Sequence, residues 1–247
     1  MKIALYQGPE QPGDVARNLE ILGSMARAAA DRAARLLICP ELFLTGYNIG
    51  AAAVRRLAEP ADGPAAQQAA RVAQEAGIAV LYGYPERVGE DVYNAAQLID
   101  RDGRRLANYR KSHLYGEIDR RVFCPGNGGF VQATLDGLRL GILICYDTEF
   151  PEAVRAHALA GVDFVAIPTA LMRPYEIVAN TLVPSRAYEN QVFVAYVNRC
   201  GREEELEYCG LSCVVTPDGT DLARAGAGEE LLVADLDIAP LELPDSG

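Results

Sequence analysis

Short β-type apolar runs alternate with helix-period stretches from one end of this 247-residue chain to the other, and that alternation constrains the fold most. Residues 2–6 read as a strand. Over residues 14–33, Val15, Leu19, Leu22, Met25, Ala26 and Ala29 recur at three- and four-residue spacing, the period of a helix packed by one face. A short strand at 36–39 stops at Pro40, an Ala-rich helix fills 64–76, and a strand follows at 78–82. Further strands fall at 106–109, 138–144, 164–167, 192–198, 212–216 and 231–237, with helices at 151–160 and near 177–190. Asp102-Gly103, Asp136-Gly137 and Asp218-Gly219 lie between apolar runs and mark hairpins, because Asp-Gly supplies the left-handed backbone that a tight turn needs. Helical crossovers together with hairpins imply a mixed sheet, or two sheets with helices outside. No low-complexity linker divides the chain, so residues 1–247 are expected to form one layered α/β domain.

Charge and residue usage narrow the function. Lys and Arg total 23 against 34 Asp and Glu, a net charge of −11, which argues against nucleic acid or an anionic membrane surface as partner. No apolar run approaches the about 18 residues of a membrane-spanning helix. Residues 1–7 read as a strand rather than a signal peptide, so the expected location is cytoplasmic. The six cysteines show neither a disulfide framework nor a zinc-type pair. With only His113 and His157 present, a His-rich metal site and most His-based catalysis are disfavoured. The absence of Trp weakens any reading as a binder of stacked sugar rings.

Four strands deliver chemistry just past their carboxyl ends, where ligands bind in α/β folds. The strand at 36–39 runs into Pro40-Glu41, that at 106–109 into Arg110-Lys111, that at 138–144 into Cys145-Tyr146-Asp147, and that at 164–167 into Pro168-Thr169. A thiol titrating near 8.5 is a poor nucleophile at neutral pH unless a cation or a base assists it. Lys111 offers the cation and a donor for an oxyanion, and a desolvated Glu41 offers a general base and acid. Each residue also has a plainer reading. Cys145, like Cys39, can be a small hydrophobe at a strand end, Glu41 a solvated loop acid, and Lys111 a surface cation beside Arg110. By the same strand-end logic Tyr47, Tyr146, Glu149, Thr169 and Ala170 line the pocket. An acid at Glu149 suits a substrate amine, as in an ω-amino amide, or simply caps the helix that begins near Pro151.

At these residues the chain resembles a known family. Cys39-Pro40-Glu41-Leu42-Phe43-Leu44-Thr45-Gly46-Tyr47 is similar to the first motif of the nitrilase superfamily of carbon–nitrogen hydrolases. Tyr109-Arg110-Lys111-Ser112-His113-Leu114 resembles its lysine motif, and the stretch from Gly141 through Cys145-Tyr146-Asp147 to Glu152 resembles its nucleophile motif. The three occur in the family's order. Residues 1–50 and 109–119 look most like aliphatic amidases of the 5-aminovaleramidase (5-aminopentanamidase) kind.

The resemblance implies a four-layer αββα sandwich, paired through helices into a homodimer. It makes Cys145 the nucleophile, Glu41 the general base, Lys111 the stabiliser of tetrahedral intermediates and the Tyr146 N–H the second oxyanion donor, with no metal or organic cofactor. It also implies a second carboxylate in the loop after the lysine. Glu117 matches by residue type, whereas spacing back from Pro125-Gly126 points to Asp119; Glu117 is preferred, because Asp requires the backbone to come closer by about one methylene. The family's C-terminal tail has little counterpart in Leu241–Gly247, so either the tail is cut short here or the dimer is held by helices alone.

The implied activity is hydrolysis of a small aliphatic carboxamide through a Cys145 thioester. Three alternatives stay open. The same triad serves nitriles or N-carbamoyl compounds, the fold can persist as a non-catalytic ligand binder, and Glu41 with Glu117 can act as a glycosidase pair.

Overall fold

The computed structural model describes residues 1–238. In chain order its elements are β1 (Lys2–Gln7), α1 (Val15–Asp31), β2 (Leu36–Ile38), α2 (Ala51–Leu57), α3 (Pro64–Ala76), β3 (Ala79–Val88), β4 (Asp91–Ile99) and β5 (Arg105–Arg110). Then come α4 (Gly116–Arg120), β6 (Gln132–Leu135), β7 (Leu138–Ile142), a 3₁₀ turn (Cys145–Glu149), α5 (Pro151–Leu159) and β8 (Phe164–Pro168). A π-helical turn (Val178–Leu182) leads into α6 (Val183–Asn190), followed by β9 (Phe193–Val197), β10 (Cys200–Glu203), β11 (Leu206–Cys209), β12 (Cys213–Val215), β13 (Asp221–Arg224) and β14 (Glu230–Asp235).

Two six-stranded sheets form, in the orders β14-β1-β2-β3-β4-β5 and β13-β12-β9-β8-β7-β6. Each has three parallel central strands, β1-β2-β3 and β7-β8-β9, extended on both sides by antiparallel strands. Strand alternation sorts the side chains of the first sheet. Ile3, Leu5, Leu36, Ile38 and Leu81 face the second sheet, while Ala4, Tyr6, Leu37, Val80 and Tyr82 pack under α1 and α3. β8 and β9 are buried along their whole length between the first sheet and the α5–α6 layer. This is the expected αββα sandwich. Each fully buried Leu, Ile or Phe in it contributes about 1.5–3 kcal/mol of transfer free energy.

Local chemistry starts and stops the elements. Asp14 caps α1 by accepting from the Arg17 N–H at 3.0 Å. Pro64 opens α3, and Gly77 closes it in the left-handed region. All three Asp-Gly pairs lie in hairpin turns, β4–β5, β6–β7 and β12–β13.

The structure departs from expectation in several places. The strand at 78–82 continues to Val88 and pairs with β4, whose buried polar Asn94 and Gln97 hide its apolar alternation. α2 is absent from the sequence reading, as is the β10–β11 hairpin, whose run of charges reads as a solvated loop. The helix near 177–190 divides, because Pro184 has no N–H to continue an α-helical ladder and a π turn absorbs the mismatch. The C-terminal segment lies outside the described residues. Among the described residues no helix is long and apolar enough to cross a membrane.

Candidate active site

Strand ends from both sheets meet at one end of the sandwich. β2 hands the chain to Pro40-Glu41, β5 to Lys111, β7 to the turn bearing Cys145, and β8 to Thr169-Ala170. The Glu41 N–H donates to the Thr169 carbonyl at 3.3 Å, so the first and second sheets are tied at the site itself. Gly83 on β3 lets this happen: a Cβ there would overlap the backbone of Pro40, Glu41 and Leu42.

Lys111 is fully buried between two carboxylates. Its Nζ donates to Glu41 Oε1 and to Asp119 Oδ2, each at 2.7 Å. Asn94 adds a third grip, with Nδ2 on Glu41 Oε1 at 2.7 Å and its carbonyl accepting the Lys111 N–H at 2.8 Å. Asp119 also accepts from the Tyr47 hydroxyl at 2.9 Å and from the Tyr115 N–H at 2.9 Å. Burial raises the Glu41 pKa, and the Asp119 charge adds to this against the opposing pull of Lys111 and Asn94. Burial alone would discharge Lys111, but the charges of Glu41 and Asp119 outweigh it and hold the ammonium well above its ordinary range.

The preference for Glu117 is therefore corrected. Glu117 is 69% exposed and lies 4.0 Å from Arg120 and 3.5 Å from Arg121. The two acids sit on α4, where residues two apart point about 200° away from each other, so a helix that aims Asp119 at Lys111 aims Glu117 at solvent. The same turn brings the backbone close, which removes the objection to the shorter side chain. The glycosidase alternative loses its second carboxylate with it.

Cys145 sits on a sharp elbow with φ of +47°, in the left-handed region that non-glycine residues rarely adopt. Leu42, just after Glu41, has φ of +49°. Asp147 holds the elbow in place. Its Oδ2 accepts from the Ile144 N–H at 3.0 Å and the Tyr109 hydroxyl at 2.9 Å, and its Oδ1 meets the His113 N–H and Nδ1 at 2.9 and 2.8 Å. One buried carboxylate thus clamps the cysteine turn to the lysine loop, and it draws the His113 pKa upward. Burial and the Glu41 charge push the Cys145 thiol up, more than Lys111, Thr169 and Ala170 lower it. The upward direction favours the thiol over the thiolate despite Lys111. What the arrangement offers is a thiol beside a carboxylate able to take its proton.

The remaining expected residues gather here. Tyr47 is buried against Asp119 with Lys111 Nζ 6.0 Å from its ring centre, and the Thr169 hydroxyl donates to the Tyr196 hydroxyl at 3.0 Å. Ala170 is fully buried beside the sulfur. Tyr146 lies edge-on to Tyr115 at 5.4 Å, and Tyr115 meets Tyr175 at 6.2 Å, an aromatic wall of which only Tyr146 was anticipated. Glu149 is half-buried, and burial lifts its carboxyl despite Arg186 and Lys111. Asn94, Asp147 and Tyr115 were missed as site residues. Only Asp147 carried a signal, its place two residues after the cysteine. Among the described residues no group of three or more His, Cys, Asp or Glu side chains is placed to hold a metal ion; between Glu41 and Asp119 the balancing cation is the Lys111 ammonium.

A two-sheet sandwich with Glu, Lys and Cys converging on its strand ends defines a carbon–nitrogen hydrolase of the nitrilase class. The carbon–nitrogen hydrolase family profile matches residues 2–243, and the chain belongs to that family. Over 238 residues it is 53% identical to a Pseudomonas protegens protein designated hydrolase in pqqF 5'region, covering 96% of this chain and 83% of that one. It is 37% identical over 244 residues to an (R)-stereoselective amidase from a Pseudomonas species, covering 98% and 87%. Among solved structures, an amidase from Nesterenkonia sp. AN1 superposes with a TM-score of 0.87 at 37% identity, covering 96% of this chain and 92% of that one. That amidase has also been captured as a Cys-to-Ala variant with butyramide and, as a Glu-to-Gln variant, with the acetamide moiety of fluoroacetamide covalently added at its active-site cysteine.

Proposed function

We propose that this protein is an amidase that converts a small aliphatic carboxamide into its carboxylic acid and ammonia. The carrying observation is the Lys111 ammonium held 2.7 Å from both Glu41 and Asp119 in the pocket that the Cys145 elbow enters. As the Cys145 sulfur attacks the amide carbon, Glu41 takes the thiol proton. The oxyanion is met by Lys111, which has a third N–H beyond the two it spends on carboxylates, and by the Tyr146 N–H. Glu41 returns the proton to the departing nitrogen, ammonia leaves, and a thioester remains. Water then attacks with Glu41 again accepting a proton, and that proton restores the Cys145 thiol as the acid departs. Asp119 orients the amide and keeps Lys111 charged.

The finer substrate is a short chain carrying an ω-amine, of the 5-aminovaleramide type. Glu149 supports this: it is half-buried, while Arg186 spends its donors on the Thr148 and Glu149 carbonyls and on Glu189. The large apolar side chains exposed on α5 and α6, Leu159 and Tyr188, support pairing of two copies through those helices, which light scattering checks by mass.

The test is a panel of short amides including valeramide and 5-aminovaleramide, with matching nitriles and N-carbamoyl amines, followed by released ammonia. Release from amides is expected, with a preference for the ω-amino compound that Glu149→Gln removes. Ammonia only from nitriles or carbamoyl compounds overturns the substrate class. Silence throughout, with Cys145 inert to iodoacetamide, replaces the enzyme by a ligand-binding protein.

A further inference from the structure

A second buried ionic cluster lies behind Tyr47, carried largely by the β10–β11 hairpin that stands outside both sheets. At its centre is Glu203, whose carboxylate accepts the backbone N–H of Tyr47 at 3.0 and 3.1 Å and that of Asn48 at 2.8 Å. Arg199 Nη1 lies 3.1 Å from Glu203 Oε2, and the Tyr208 hydroxyl donates to the same oxygen at 2.6 Å. Arg199 Nη2 pairs in turn with Glu10 Oε2 at 2.7 Å. All four side chains are buried. Gly46 leaves room for the grip: it has φ of +90°, and a Cβ there would overlap Glu203 Oε1.

Amide hydrolysis has no step for these charges, and burying an ion pair is an expensive way to fill a core. What a carboxylate does here that an apolar side chain cannot is hold two consecutive backbone N–H groups at once. The held residue is the one whose hydroxyl reaches Asp119 Oδ1 at 2.9 Å, and the other Asp119 oxygen holds Lys111. We propose that Glu203, fixed by Arg199 and Tyr208, is a positioning residue that sets the Tyr47 hydroxyl on Asp119 and through it the Lys111 ammonium. This rests on the hydrolytic reading of the Cys145 site.

The test is a double-mutant cycle on the full chain with the best amide of the panel, using Glu203→Gln, Tyr47→Phe and the two combined. Tyr208→Phe serves as a milder break, and Glu207→Gln on the same hairpin as control. Thermal unfolding and stoichiometric alkylation of Cys145 check that each variant is folded. Glu203→Gln is expected to lower kcat/KM by roughly tenfold or more, the scale of a lost hydrogen bond to a charged group. The double variant falls no further than Tyr47→Phe alone, within about twofold, because both changes cut the same link. Tyr208→Phe gives a smaller loss that also vanishes in the Tyr47→Phe background, which keeps the cycle available if Glu203→Gln does not fold. Glu207→Gln leaves kcat/KM unchanged. Losses that multiply, or an unimpaired Glu203→Gln, overturn the proposal. A wild-type protein inactive on every amide contradicts the amidase reading instead. The alkylation rate of Cys145 across the same variants then reads the link, with non-additive changes expected and independent ones contradicting it.

Discussion

Among the described residues two cations are each buried between two carboxylates, and one of them stands beside the strained Cys145 elbow. Lys111 lies between Glu41 and Asp119, and Arg199 between Glu10 and Glu203. Burial lifts the Glu10 carboxyl to about 7 and lifts Glu41 as well, so a displaced pKa does not separate the clusters. Geometry does. Glu41 neighbours a strained cysteine turn, and the compact lysine ammonium keeps a third N–H beyond the two it gives to carboxylates. The planar guanidinium of Arg199 faces Glu10, Glu203 and Tyr208, and the neighbouring Cys200 lies on the β10 strand rather than on a strained elbow. Buried charge of this kind marks a place where something is held rigidly. Whether it also reacts depends on how a nucleophile is presented to it.

The difference is broken most forcefully at the two cations. Removing one partner of a buried ion pair costs about 3–5 kcal/mol, so Lys111→Met and Arg199→Met are expected to lower unfolding stability comparably. Turnover separates them. Lys111→Met loses roughly 10³-fold in kcat/KM, the upper end of what a removed oxyanion donor costs, while Arg199→Met retains measurable turnover. Equal losses of activity would erase the distinction.

The next largest effect concerns the two acids of α4. Asp119→Asn is expected to reduce kcat/KM by roughly 10²-fold, since a charge-assisted contact to Lys111 is lost where the transition state needs it. Glu117→Gln stays within about twofold, as surface ion pairs contribute little. The reverse ranking would place the second carboxylate at Glu117 after all.

The smallest expected effect is a displaced pH profile. In the proposed reaction Glu41 must be unprotonated to accept the thiol proton, and its pKa is raised by burial, so kcat/KM is expected to fall on the acid side at a higher pH than an ordinary carboxylate would give. Asn94 donates to Glu41 and lowers that pKa. Asn94→Ala therefore shifts the acid limb upward by roughly half a unit or more. A downward shift would mean that the limb belongs to another group.

Much of this was legible in the residues. Alternating strand and helix periods point to one layered α/β domain, the family resemblance implies its four layers, and the carboxyl ends of four strands point to the convergence of Glu41, Lys111, Cys145 and Thr169. The parts that were not legible share one physical cause: polar residues satisfied across the fold look, in one dimension, like surface. β4 was hidden because Asn94 and Gln97 interrupt its apolar pattern, although both are buried. The β10–β11 hairpin was hidden because Arg202, Glu203, Glu204 and Glu205 read as a solvated run, yet Glu203 is a core residue. The choice between Glu117 and Asp119 turned on a five-residue helix that no periodicity reveals.

The central claim, that Cys145 carries the acyl group, is tested most directly by rapid-quench intact-mass spectrometry with a turned-over amide. The account predicts a transient gain equal to the acyl group, located at Cys145, rising with ammonia release and absent from a folded but inactive Cys145→Ala protein. Ammonia release from Cys145→Ala at a rate comparable to the unsubstituted protein, with no adduct on either, would contradict it.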